Sequence, residues 1–138
     1  MRRKIVATCI WLALFALGAS AQESRAPMIT FTQVPVCSVG GANTRGDIAG
    51  RVSNLSNPQG HSVVLYAFAG DSWWVQPLAN NYTTPIDARG AWTNWTHQGG
   101  RYAALLVRGS YAAPARIQAL PSVGGAVVGS ASTPCRSG

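Results

Sequence analysis

The chain has 138 residues, with 11 Lys and Arg against 4 Asp and Glu, 15 Gly, 8 Pro, three Cys, and 47% hydrophobic but only 11% charged residues. That length admits one small domain and excludes a large multidomain enzyme. The composition excludes a disordered charged tail and a long helical bundle, and it is that of a compact β-rich domain.

Residues 1–21 read as a cleavable signal peptide. Arg2, Arg3 and Lys4 open it, an apolar run follows over 5–18, and Ala19-Ser20-Ala21 supplies the small-x-small pattern for cleavage after Ala21. The run is about 14 residues, short of the roughly 18 to 20 that span a bilayer, so cleavage is expected over the alternative of an uncleaved signal-anchor, and no stable membrane span after it. The product is expected to be secreted or periplasmic, and Cys9 leaves with the signal. The remaining chain keeps eight Arg, no Lys and four acids, a formal +4 instead of +7. These Arg are spread singly, without the clustered stripe that phosphate backbones require, so no nucleic-acid partner is expected.

Residues 22–27 form a polar leader, 28–135 a single domain and 136–138 a tail. The alternation over 28–34 predicts a strand that Pro35 stops, and 40–46 is a loop. Further strands are expected at 47–53, 61–69, 72–78, 91–97, 101–108, 115–120 and 125–131, divided by Gly, Pro, Asn and Asp clusters. No window of about a dozen residues keeps a helical apolar period without Gly or Pro, and 112–120 is the best place for a helix. About eight short strands fit an all-β, antiparallel β-sandwich.

Two turns carry a mechanism. Gly70-Asp71 separates two apolar runs, and Gly at the first turn position supplies the positive φ of a tight hairpin. That register sets Phe68 against Trp73, Tyr66 against Val75 and Val64 against Pro77 on one face. On the other face Ala67 meets Trp74, Leu65 meets Gln76 and Val63 meets Leu78. Pro77 suggests a strand end or an edge. In Asp87-Ala88-Arg89-Gly90, Asp at the first and Gly at the fourth position suit a type I turn, which makes Asp87 a turn-former.

After signal removal two cysteines remain, Cys37 and Cys135, 98 positions apart. Export makes a disulfide between them the expectation, and closing so long a loop adds about 4 to 5 kcal/mol in the chain-entropy model. The absence of a C-x-x-C or a neighbouring His argues against a redox or metal role.

Three pieces resemble, in order, those of transthyretin-like or carboxypeptidase-regulatory-like β-sandwiches. Ile48-Ala49-Gly50-Arg51-Val52 is similar to an opening I-x-G-x-V strand, and Asp87-Ala88-Arg89-Gly90-Ala91-Trp92 to a D-x-x-G-x-aromatic turn. Gly99-Gly100-Arg101-Tyr102 with the apolar run to Val107 is similar to a G-x-Y strand. The resemblance covers about residues 48–111 and implies an Ig-like or prealbumin-like sandwich of seven to eight strands. It also implies a role like that of accessory modules of secreted bacterial proteins, which bind or space and carry no transferable catalytic residues.

Catalysis has little to work with. Glu23 lies in the leader, Asp71 and Asp87 in expected turns, and Asp47, His61 and His97 fall in no acid–base or metal-ligand pattern. No nucleophile elbow, phosphate loop or dinucleotide fingerprint is present, so no catalytic residue, metal or cofactor is expected. The aromatics carry the better signal. Trp73-Trp74, and Trp92 with Trp95, are spaced one and three apart, so in strands each pair splits across the sheet. Phe68, Tyr66 and Val75 mark the Trp73 face as core, and the turn resemblance sends Trp92 inward. Trp74 and Trp95 are then outward, with Gln76, Thr93 and His97 beside them. Such a surface stacks on sugar rings and hydrogen-bonds their hydroxyls, making carbohydrate one expected ligand. The alternative is a structural, protein-interaction module whose outer aromatics meet another chain; the oligomeric state stays open. Asn54, Asn81 and Asn94 begin glycan acceptor triplets, and a glycan at Asn94 would obstruct the surface.

Overall fold

The computed structural model describes residues 25–138. The expected signal peptide, its cleavage point, Cys9 and Glu23 lie outside them. Nine strands follow in order: β1 Met28–Gln33, β2 Arg45–Ser53, β3 His61–Ala69, β4 Ser72–Gln76, β5 Thr83–Pro85, β6 Ala91–His97, β7 Arg101–Arg108, β8 Arg116–Ile117 and β9 Val127–Pro134. They form two antiparallel sheets, β1-β2-β6 and β8-β4-β3-β7-β9, with β5 paired to β3 beyond the end of β4. The described residues contain no helix, and none long and apolar enough to cross a membrane.

The centre of the molecule is the β3–β7 pair. Val63-Val64-Leu65-Tyr66-Ala67 and Tyr102 to Val107 are unbroken apolar runs, and both faces of both strands are buried. Toward the small sheet, Val63, Leu65, Ala67, Ala104 and Leu106 pack on Ile29, Ile48, Val52 and Trp92. On the opposite face, Val64, Tyr66, Leu105 and Val107 pack with Trp73 and Val75 beneath Tyr111, Ala113, Ile117 and Leu120. Burying each large apolar side chain contributes about 1.5 to 3 kcal/mol.

Residues 109–126 thus cross the outer face of the large sheet as a strap. The Tyr66 hydroxyl donates to the Pro114 carbonyl (2.9 Å), the Tyr82 hydroxyl to that of Tyr111 (3.2 Å), and the Val75 amide to that of Ala115 (3.0 Å). The helix considered over 112–120 does not form. Pro114 interrupts it, β4 takes up the backbone, and the strand expected at 115–120 shrinks to the two residues of β8.

The Gly70 turn has φ of 66°, and the hairpin register runs as expected from Ala69↔Ser72 to Leu65↔Gln76. The two further pairs do not form. Pro77 has no N–H for the ladder, the chain leaves β3 there, and Thr83 and Thr84 take Val64 and Val63 as partners. A second correction concerns Trp73. It is buried under the strap, whereas Trp74, opposite Ala67, is on the face turned toward the small sheet. Trp73 is buried and Trp74 exposed as expected, but the core that buries Trp73 is the one under the strap, since a covered outer face gives the large sheet two buried faces.

Asp87 closes its turn as expected: its Oδ1 accepts from the amides of Arg89 and Ala91, both at 2.9 Å, and Gly90 has φ of 82°. Cys37 and Cys135 are disulfide-bonded, with Cα atoms 4.9 Å apart. Arg136, expected in the tail, exchanges backbone bonds with Pro35 (3.0 Å) and Cys37 (2.9 Å).

Candidate functional site

Strand β6 is an edge strand of the small sheet and lies over β4 and β5 of the large one. Two polar contacts seal that side of the sandwich. Asn94 Nδ2 donates to Thr84 Oγ1 at 2.8 Å, and Gln76 Oε1 accepts from the His97 amide at 2.8 Å and from His97 Nδ1 at 3.0 Å. An amide oxygen only accepts, so this pairing puts the imidazole proton on Nδ1 and leaves the Nε2 lone pair free. Gln76 is buried, and its Nε2 donates to the Trp74 carbonyl at 3.2 Å.

Beyond the end of that seal, a groove of about 700 Å³ opens between the end of β4, the following residues 77–79, the end of β6 and the 41–42 loop. Trp74, Gln76, Pro77, Leu78, His97 and Gln98 give it its larger side chains, and Gly41 and Ala42 leave it room. Trp74 belongs to the inter-sheet face by register, yet it is 42% exposed, because no strand of the small sheet reaches past β6 to cover it. Its Nε1 donates to the Ala69 carbonyl at 3.2 Å, and the Arg116 guanidinium lies 5.0 Å from the ring centroid.

The five expected site residues therefore divide. Trp74, Gln76 and His97 meet in the groove. Trp95 is on the outer face of the small sheet, its ring edge-to-face with His97 at 5.2 Å, so the imidazole forms the corner between groove and outer face. Thr93 is exposed and lines a separate groove of about 430 Å³ with Arg51 and Thr32. Asn94 points inward, its Nδ2 donating to Thr84 Oγ1 and its Oδ1 accepting from the Trp95 amide.

Sequence reasoning missed Arg45, Leu78, Gln98 and Arg116. Arg45 faces His97 across β2–β6, and its guanidinium carbon is 4.3 Å from the Trp95 ring centroid. Starting β2 at Asp47 instead of Arg45 left it in a loop; adding one alternation would have put it beside Trp95.

Three other ionisable groups, Asp71, Tyr66 and Tyr102, are held by structural partners. Asp71 is held below the ordinary carboxylate range by the Ser72 hydroxyl and then by Arg116, 3.2 Å away. Burial pushes the Tyr66 and Tyr102 phenols up, and that of Tyr66 is raised further by Tyr111 and Tyr82. Among the described residues no three His, Cys, Asp or Glu side chains gather as metal ligands. Compared with protein-family models, curated proteins and solved structures, the chain matches none.

Proposed function

We propose that the protein is a secreted or periplasmic, non-catalytic module that binds carbohydrate in the groove between β4 and β6. The observation that carries this reading is Trp74, left 42% exposed at the groove while Trp73 and Trp92 are buried. A flat indole stacks on the C–H face of a sugar ring, and the His97 Nε2 and the Gln98 amide beside it provide directional hydrogen bonds to hydroxyls. The disulfide supports export to an oxidising compartment.

The test is intrinsic Trp fluorescence of the purified protein titrated with a panel of soluble glycans. A saturable shift is expected, lost in Trp74→Ala with the far-UV circular dichroism unchanged. No shift across the panel, with Trp74 already shielded from acrylamide, would sink the reading.

One observation favours a protein-interaction module instead. Leu78 is 43% exposed beside Trp74, and adjacent large apolar side chains of this kind anchor protein interfaces. That reading expects a dimer insensitive to dilution in sedimentation, with Trp74 fluorescence quenched.

A further inference from the structure

Resting on the carbohydrate reading, we propose that Arg45, stacked on Trp95 and opposed in the ladder to the groove residue His97, is a carboxylate receptor, and that the saccharide this module takes carries uronic acids.

The argument starts from how Arg45 is held. Its guanidinium lies over the Trp95 indole at 4.3 Å, and Trp95 in turn is braced edge-to-face by His97 at 5.2 Å. A stacked guanidinium is attracted by the ring face and restricted in its rotamers, yet its donors project from its edges and stay available. Arg45 makes no ion pair among the described residues, where Arg116–Asp71 is the ion pair found. A planar, preoriented, unpaired fork of N–H donors matches the two oxygens of a carboxylate.

Its position ties it to the groove. Arg45 and His97 are directly opposed in the β2–β6 ladder, and His97 is itself a groove wall. Arg45 does not itself line the groove; a sugar stacked on Trp74 that extends past His97 onto the outer face of the small sheet meets it one ladder position on. The stacking also changes what Trp95 does: the ring face under Arg45 is covered, so Trp95 acts as a positioning residue for the guanidinium.

Charge across the chain agrees. Beyond the expected signal peptide the sequence carries eight Arg against four acids, a formal +4, and three of those acids, Asp47, Asp71 and Asp87, are among the described residues. Asp71 is paired with Arg116 and Asp87 is committed to its turn. The remaining acid, Asp47, opposes Trp95 in the ladder without reaching Arg45 as an ion pair, and it sets a local cost for an anionic ligand.

The experiment titrates the purified protein with short oligomers of galacturonic, glucuronic and mannuronic acid, each beside its fully methyl-esterified counterpart, which keeps the sugar and removes the charge. The acid form of at least one is expected to bind about tenfold more tightly than its ester, the size of a charge-assisted pair at a partly exposed site. Arg45→Ala should remove that preference, Arg45→Lys, which keeps the charge but not the planar fork, and Trp95→Ala should each reduce it, and Asp47→Asn should increase it. Arg89→Ala, an equal charge loss in the Asp87 turn, should leave it intact. Equal binding of acid and ester, abolished by Trp74→Ala, overturns the role of Arg45 and spares the groove. An acid preference that survives Arg45→Ala overturns it as diffuse attraction. If neither form of any oligomer binds, this inference falls, while a shift with a neutral glycan that is lost in Trp74→Ala spares the groove.

Discussion

Gln76 shows how much one buried side chain does here. Its single oxygen takes two hydrogens from His97, joins the two sheets and fixes the imidazole tautomer at the groove. Gln76→Ala leaves the His97 amide without that partner and is expected to cost about 1 to 3 kcal/mol, read as a lower urea midpoint with an unchanged slope. The groove should suffer with it, because His97 is then free to turn. Gly90 is constrained differently. Its φ of 82° and the Val52 carbonyl, which an added Cβ would strike, leave no room for a side chain. Gly90→Ala is expected to lose about 1 to 3 kcal/mol by the same assay. At this scale the sequence was informative about Asp87, whose turn chemistry is local, and about the separation of Trp73 from Trp74. It did not say which of the two faces the other sheet, because Val64 and Leu65 are equally apolar and both faces of β3 are buried.

Among the elements, the strap over 109–126 is the one expected to loosen at low pH, through the Asp71–Ser72–Arg116 contacts. Ser72 Oγ accepts from Arg116 Nε (2.9 Å) and Gln118 Nε2 (3.0 Å) and donates to Asp71 Oδ1 (2.9 Å), so one buried hydroxyl gathers the strap onto β4. The Asp71 carboxyl is lowered from its ordinary 3.8 in the folded protein. Its contribution is therefore fully present above that value and is lost as pH falls through the lower folded value. Acidification should raise proteolytic cleavage within 109–126 before the sandwich unfolds, and Asp71→Asn should reproduce the effect at neutral pH. Insensitivity of the strap to both would show that the apolar contacts of Ile117 and Leu120 hold it unaided. Strand β6 differs: three of the four amides on its free edge, all but that of Thr93, are already occupied. Its Ala91, Trp95 and His97 amides, which point away from β2, are taken by Asp87, Asn94 and Gln76 side chains. The strap and β5 escaped sequence reasoning for related reasons. Thr83-Thr84-Pro85 has no apolar run to announce it, and 109–126 has neither a strand nor a helix period, since it is held by tertiary contacts with Tyr66, Ser72 and Val75.

For the whole molecule, the two-sheet antiparallel architecture followed from short apolar runs and their turns. The pairing of Cys37 with Cys135 was legible because Cys9, the third cysteine, falls in the expected signal peptide. Removing it with Cys37→Ala and Cys135→Ala is expected to cost about 4 to 5 kcal/mol, seen as a reductant-independent fall in the urea midpoint. Wild type treated with reductant should fall to the same midpoint. The bond also divides the molecule mechanically. Strand β1 precedes Cys37, while β2 to β9 lie between the two cysteines, whose Cα atoms are 4.9 Å apart. A load applied at the two chain ends peels β1 from β2 and then reaches a covalent bridge, so the remaining eight strands never feel the tension. Reduction restores their exposure to it and lengthens the tether by 98 residues, roughly 330 Å of extended chain. Oxidised, the domain is a bead of fixed length on whatever it is strung between; reduced, it becomes a spring.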